Sequence, residues 1–153
     1  MSFNFDYQVP KVIAEIGCNH MGQFEIAKEL IDLAKQNGAK YVKFQKRNNK
    51  ELLTEEQYNA PHPVPENSYG DTYGAHREFL EFTTQQHKIL KEYCDSIDIS
   101  YNTSVWDTTS AKEMISFEPE FLKVPSACNN NTEMLKVLRD DYKGQVQLSI
   151  GMT

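Results

Sequence analysis

The chain has 153 residues, 39% of them hydrophobic and 25% charged, and a formal net charge of -6. That balance fits one soluble globular domain with a single core. Its 16 basic residues are spread against 22 acidic ones, so no basic run invites nucleic acid or an anionic membrane, and an anionic ligand would need a local pocket.

Cys18, Cys94 and Cys128 are odd in number and lack C-x-x-C spacing, which argues against a disulfide framework or a zinc knuckle and for a reducing, cytoplasmic setting. Residues 1–6 carry no basic region followed by an apolar run. Nowhere do about 18 consecutive apolar residues occur, so neither secretion nor a membrane span is expected.

Short apolar, β-branched runs at residues 12–16, 41–44, 97–101, 121–124 and 146–150 read as buried parallel strands. Between the first two, Phe24, Ala27, Leu30, Ile31 and Ala34 recur at helical spacing, and Gly38 stands where a left-handed residue ends a helix. Thr83 and Gln86 form a capping box for a second helix with Ile89, Leu90, Tyr93 and Cys94 inward. Asp107 is placed to cap a third helix, and Asn130 or Asn131 a fourth. Residues 46–77 make a connection too long for an ordinary loop, and its Tyr58, His62, Tyr69, Tyr73 and His76 point to an ordered lid.

Strands alternating with helices require a parallel sheet with right-handed crossovers, either doubly wound or closed as a barrel. The polar strand ends favour the barrel: Glu15, Lys43 with Gln45, Asn102 with Thr103, Lys123 with Ser126, and Ser149 would all meet at one mouth. The fold class expected is therefore α/β, a TIM (β/α)8 barrel. Only about the first five strands fall within residues 1–153, a partial synthase-type domain, because about 250 residues are typical for all eight.

A lysine inside an apolar strand must find a partner or a solvent path, since burying a bare ammonium is costly. Lys43 and Lys123 either pair with a carboxylate such as Glu15 or converge on a phosphate or carboxylate, helped by Thr103, Ser126 and Ser149. A Schiff base with a carbonyl substrate is a further chemical option for either lysine. Glu15 is read as an acceptor for a sugar hydroxyl, a base, a metal ligand or a lysine partner. Asn19 and His20 either reach the mouth or stabilise their own turn. His62, His76 and His87 read as surface or lid residues, Trp106 as packing beneath the pocket, and residues 129–131 as substrate amide contacts or a cap. No metal site is argued from these residues, and the phosphate-binding glycine loops are absent.

I-A-E-I-G-C-N-H-M-G at residues 13–22, G-A-K-Y-V-K-F-Q at 38–45, K-V-P-S at 123–126 and L-S-I-G-M at 148–152 resemble the sialic acid synthases, in that family's order. The resemblance implies condensation of phosphoenolpyruvate with an N-acetylated amino sugar such as N-acetylmannosamine, giving a nine-carbon 2-keto sugar acid and phosphate. It implies Mn or Mg as cofactor, with ligands beyond Thr153, and a homodimer. It assigns Lys43, Thr103, Lys123, Ser126 and Ser149 to phosphoenolpyruvate and Glu15 and Gln45 to the sugar, with Glu15, Lys43 and Lys123 as the catalytic set. Two departures stand out. Residues 102–105 read N-T-S-V where the family has S-T-P-F, and Cys128 replaces a carboxylate two residues past Ser126. The alternatives are a Schiff-base aldolase, another phosphoenolpyruvate-dependent sugar acid synthase, and a non-catalytic half barrel.

Overall fold

The computed structural model describes residues 9–151; residues 1–6, read above as carrying no leader, and Met152 of the last motif lie outside them. Five strands run β1 (Ile13–Gly17), β2 (Tyr41–Lys46), β3 (Ser100–Val105), β4 (Phe121–Val124) and β5 (Gln145–Leu148). Every neighbouring pair is parallel and the spatial order equals the chain order. A doubly wound sheet reverses order at a switch point, whereas sequential order is the winding of a barrel wall.

The helices are α1 (Phe24–Gln36), α2 (Asn49–Leu52), α3 (Glu55–Asn59), α4 (Tyr73–Leu80), α5 (Thr84–Ser96), α6 (Thr108–Ile115) and α7 (Thr132–Asp141). Those that cross between strands bury one apolar stripe against one face of the sheet. Val42, Phe44 and Tyr101 pack with Ala27, Ile31, Leu90 and Cys94, and Val105, Leu122 and Val124 pack with Ala111, Met114, Met134 and Leu138. Burying each such aliphatic side chain contributes on the order of 1.5–3 kcal/mol, which is why this face dictates the register. Val146 and Leu148 belong to the same face of β5 but stay exposed, because no described helix lies over them.

The local signals act as the sequence suggests. The Thr83 hydroxyl accepts from the Gln86 amide N–H at 3.2 Å while the Gln86 side chain takes the Thr83 N–H at 2.9 Å. Asp107 accepts from the Ser110 N–H at 2.7 Å and Asn131, not Asn130, from the Met134 N–H at 3.1 Å. Gly38 turns the chain out of α1 with φ of 80°. The third strand is the one displaced element. It was expected at residues 97–101 and lies at Ser100–Val105, because Ile97 caps α5 and Asp98 adopts φ of 56° before the strand begins.

The lid is ordered and built from α2, α3, a 3-10 turn at Pro65–Asn67 and α4. Gly74 lets α4 sit against α3, since a Cβ there would come 2.4 Å from the Tyr58 ring. Two carboxylates staple the lid to the end of β3: Asp107 accepts from the Asn48 N–H at 2.7 Å, and Glu51 accepts from the Thr108 N–H at 3.0 Å. His20 stays in its turn, accepting from the Gly22 N–H and stacking on Phe82 with ring centroids 4.0 Å apart. His87 is a core residue and not a surface one, 2.7 Å from the Tyr101 hydroxyl.

Burial pushes His20 down to about 4 and His87 down to about 3. Unfolded histidine takes its proton near pH 6.5, so the unfolded chain gains protons first and stability falls as the pH drops below about 6.5. Glu81, which burial pushes up to about 7, works in the opposite direction. With two groups against one, the net slope between pH 6 and 5 approaches about 1.4 kcal/mol per pH unit. Urea unfolding will therefore give a lower midpoint at pH 5 than at pH 6.5, and Glu81→Gln will steepen that drop; a flat profile contradicts the burial assignments.

Candidate functional site

Parallel register decides which side chains face away from the helices. Lys43 lies opposite Glu15 on β1 and Asn102 on β3, Gln45 lies opposite Ser104, and Ser104 lies opposite Lys123 on β4. Register partners in a parallel sheet share a face, so Glu15, Lys43, Gln45, Asn102, Ser104 and Lys123 line the side the helices leave open. The sheet therefore gathers five residues with hydrogen-bonding or charged tips around one lysine.

Lys43 is buried, forms an ion pair with Glu15, and contacts the Ser104 hydroxyl at 3.1 Å. Its ammonium loses protons more readily than usual, because burial penalises the charge more than Glu15 repays it and the Lys123 charge nearby adds repulsion. Lys123 is half-buried and has no ion pair or hydrogen-bonded partner among the described residues. The structural role considered for both lysines thus applies to Lys43, whereas Lys123 keeps a free charge.

Ser126 opens the 3-10 turn Ser126–Cys128 directly after β4, and its hydroxyl accepts from the Gly151 N–H at 3.2 Å. Ser149 follows β5, and its carbonyl accepts from the Asn129 amide at 3.2 Å. Asn129 therefore ties the end of β4 to the end of β5 and sets the spacing of the two serines. Gln45 sits at the end of β2, with its carbonyl accepting from Arg47 at 3.0 Å and its amide against the Cys18 sulfur.

Thr103 does not join them. It pairs in register with Phe44 and Leu122, is wholly buried on the helix side, and donates to the Ser104 carbonyl at 3.3 Å. Ser104, one residue on, holds the place assigned to it. Cys128 is buried too, which pushes its thiol up and leaves it neutral where a carboxylate was expected. Trp106 packs against the core cluster of Val105, Leu122 and Met134 as expected, and it also lines a cavity beside the lid, with the Arg47 guanidinium 3.6 Å over its ring.

Sequence reasoning missed Ser104, Arg47 and Arg77. The first two were within reach of the period of two: Lys43, Gln45 and Arg47 continue one face, as do Asn102, Ser104 and Trp106. Arg77, on the lid, had no such signal. Among the described residues no three His, Cys, Asp or Glu side chains converge closely enough to hold a metal ion, and Glu15 is engaged with Lys43. The described residues therefore supply no complete set of ligands for the divalent cation, which the resemblance places beyond Thr153.

A singly wound parallel wall with cations and hydroxyls at its strand ends defines the class: a β/α-barrel protein. Residues 30–153 match the family model described as the NeuB family, and the chain belongs to that family. The N-acetylneuraminate-9-phosphate synthase of Homo sapiens is 34% identical over 125 residues, 82% of this chain and 34% of that protein. The N,N'-diacetyllegionaminic acid synthase of Legionella pneumophila is 31% identical over 125 residues, 82% of this chain and 35% of that protein. The crystal structure of the N-acetylneuraminic acid synthetase from Leptospira borgpetersenii, in complex with citrate, is 26% identical with a TM-score of 0.74, covering 92% of this chain and 44% of that one. The chain thus spans about a third of the length of the curated relatives it matches.

The Glu15–Lys43 pair makes an asymmetric prediction. Removing the buried cation with Lys43→Met leaves a half-exposed Glu15 that water can solvate, and stability should change by under about 1 kcal/mol. Glu15→Gln strands the buried ammonium and should cost about 2 kcal/mol, discounted for the exposure of Glu15. Equal effects in urea titrations would contradict the pairing described.

Proposed function

We propose that this chain carries the phosphoenolpyruvate-binding mouth of a synthase that condenses phosphoenolpyruvate with an N-acetylated amino sugar to give a 2-keto sugar acid and phosphate. The names of the relatives, which make N-acetylneuraminate 9-phosphate and N,N'-diacetyllegionaminic acid, support this class of reaction. The observation that carries it is the unpaired Lys123 charge beside the Lys43–Ser104 contact, with Ser126 and Ser149 at the adjoining strand ends.

Phosphoenolpyruvate brings a carboxylate and a phosphoryl group. Lys123 and the Ser126 hydroxyl meet the phosphoryl group, while Lys43 shares its ammonium between Glu15 and the incoming anion. The aldehyde of the open-chain sugar must lie over the enol carbon, on the side of Glu15 and Gln45. There Glu15 accepts from a sugar hydroxyl and Gln45 donates its amide. As the new carbon–carbon bond forms, the aldehyde oxygen takes the C=O electron pair and a proton and becomes a hydroxyl while positive charge develops at the phosphate-bearing carbon. Water adds there and gives up a proton, and the resulting tetrahedral carbon expels phosphate to leave the 2-keto group. The fixed ammonium groups stabilise the departing phosphate, which carries more charge than the ester did. The amino sugar, a divalent ion and pairing with a second copy are assigned by resemblance.

A Schiff-base reading also has one observation behind it, the weakened proton hold of Lys43. Its ion pair with Glu15 opposes that reading, since a nucleophilic amine must be neutral. Borohydride in the presence of pyruvate will leave the chain's mass unchanged; a covalent adduct on Lys43 would favour the aldolase.

Calorimetric titration tests the main reading. The chain will bind phosphoenolpyruvate, and Lys123→Ala will weaken binding by at least about thirtyfold, the loss expected for one charge-assisted contact of about 2 kcal/mol. Unchanged affinity would remove Lys123 from the site and the proposal with it.

A further inference from the structure

Gln45 brings a neutral amide to the mouth, and an amide offers opposite chemistry at its two ends: the oxygen accepts and the NH2 group donates. Half a turn about its last bond exchanges the two with almost no change of shape. What Gln45 offers to a ligand therefore depends on what holds the amide.

Two side chains touch it. The Cys18 sulfur lies against Nε2, and burial pushes that thiol up, so it stays neutral. A neutral thiol is a weak acceptor through sulfur and a weak donor through hydrogen, so it accommodates either end of the amide. Arg47 does not. Its Nη2 donates to the Gln45 carbonyl at 3.0 Å, and a guanidinium has donors but no acceptor, so it takes the oxygen and rejects the NH2 group. Arg47 has no ion pair among the described residues, and the carbonyl thus receives a charge-assisted bond, the stronger kind.

Arg47 is itself held in place. Residue 47 follows β2 and continues the alternation of Lys43 and Gln45, so its side chain reaches back over the same face. The guanidinium lies 3.6 Å over the Trp106 ring, and the backbone N–H donates at 3.1 Å to Glu81, the residue that ends α4 of the lid. The Arg77 charge on α4 repels the guanidinium from the lid side.

We propose that Arg47 is a positioning residue: it locks the Gln45 amide with the carbonyl towards the guanidinium and the NH2 group towards Cys18 and the mouth, so that position 45 selects an acceptor oxygen on the amino sugar. Arg47 acts through Gln45 and does not touch the sugar. The inference rests on the synthase reading for the sugar, and on the two contacts of Gln45 for the lock. Because Glu81 and Trp106 hold Arg47, the seating of the lid is transmitted to Gln45 through it.

Nitrogen-15 NMR of the 153-residue chain reads the amide directly. The unaltered chain is expected to give two sharp Gln45 side-chain N–H signals with a cross-relaxation contact to Cys18. Arg47→Met keeps an apolar stem against Trp106 and removes the donors, and the Cys18 contact should weaken by about half as both amide orientations fill. By calorimetry, N-acetylmannosamine should bind the Arg47→Met chain about fivefold more weakly, with phosphoenolpyruvate affinity unchanged within about twofold. In a Gln45→Ala background the same substitution should alter sugar affinity by less than about twofold, because nothing is left to position. A Gln45 amide indifferent to Arg47→Met, or a sugar loss of equal size in both backgrounds, overturns the proposal. Should Arg47→Met fail to fold, the unaltered chain decides: Gln45 N–H signals without the Cys18 contact overturn the lock. A chain that binds no amino sugar sinks the sugar side of the synthase reading, while the amide signals still decide the role of Arg47.

Discussion

The structure turns on the buried ammonium of Lys43. Placing a lysine among the buried residues of β2 is tolerable only if something opposite each flank receives it. Register supplies Glu15 from β1 on one side and the Ser104 hydroxyl from β3 on the other. A slip of one residue in either pairing would turn those partners to the helix face and put an apolar residue against the charge. The same alignment then carries Lys123 to the inner face beside Ser104, where it has no counter-ion among the described residues. The buried charge thus reinforces the register that the apolar face dictates, and the mouth receives a second cation as a consequence.

The lid is joined to that arrangement by carboxylates that do two jobs each. Asp107 caps α6 and receives the Asn48 N–H, and Glu51 on the lid receives the Thr108 N–H at the same helix start. Anchoring the lid to a helix N-terminus keeps Tyr73 and Arg77 over the ends of β2 and β3.

Much of this was legible in the chain because it depends on local rules. The capping residues Thr83, Asp107 and Asn131 announce their helices, and Lys43 and Lys123, set inside the apolar runs of β2 and β4, announce the mouth. The singly wound order follows from polar strand ends that only a barrel would gather. Three things were hidden. The start of β3 moved because a left-handed Asp98 after α5 delays the strand, and side-chain periodicity does not show such a turn. Thr103 was misassigned because a motif match carries no information about face; counting by twos from Lys43 through the register, which needs the pairing, selects Ser104. Arg77 could not be found at all from spacing, since a lid folds back on the mouth through tertiary contacts that leave no periodic trace.

The decisive measurement is a crystal structure of the chain grown with phosphoenolpyruvate. The account predicts the phosphoryl group against the Lys123 ammonium and the Ser126 hydroxyl, with Lys43 drawn between Glu15 and the ligand and Thr103 untouched on the helix side. A ligand bound away from the end of β4, with Lys123 turned into solvent, would contradict it.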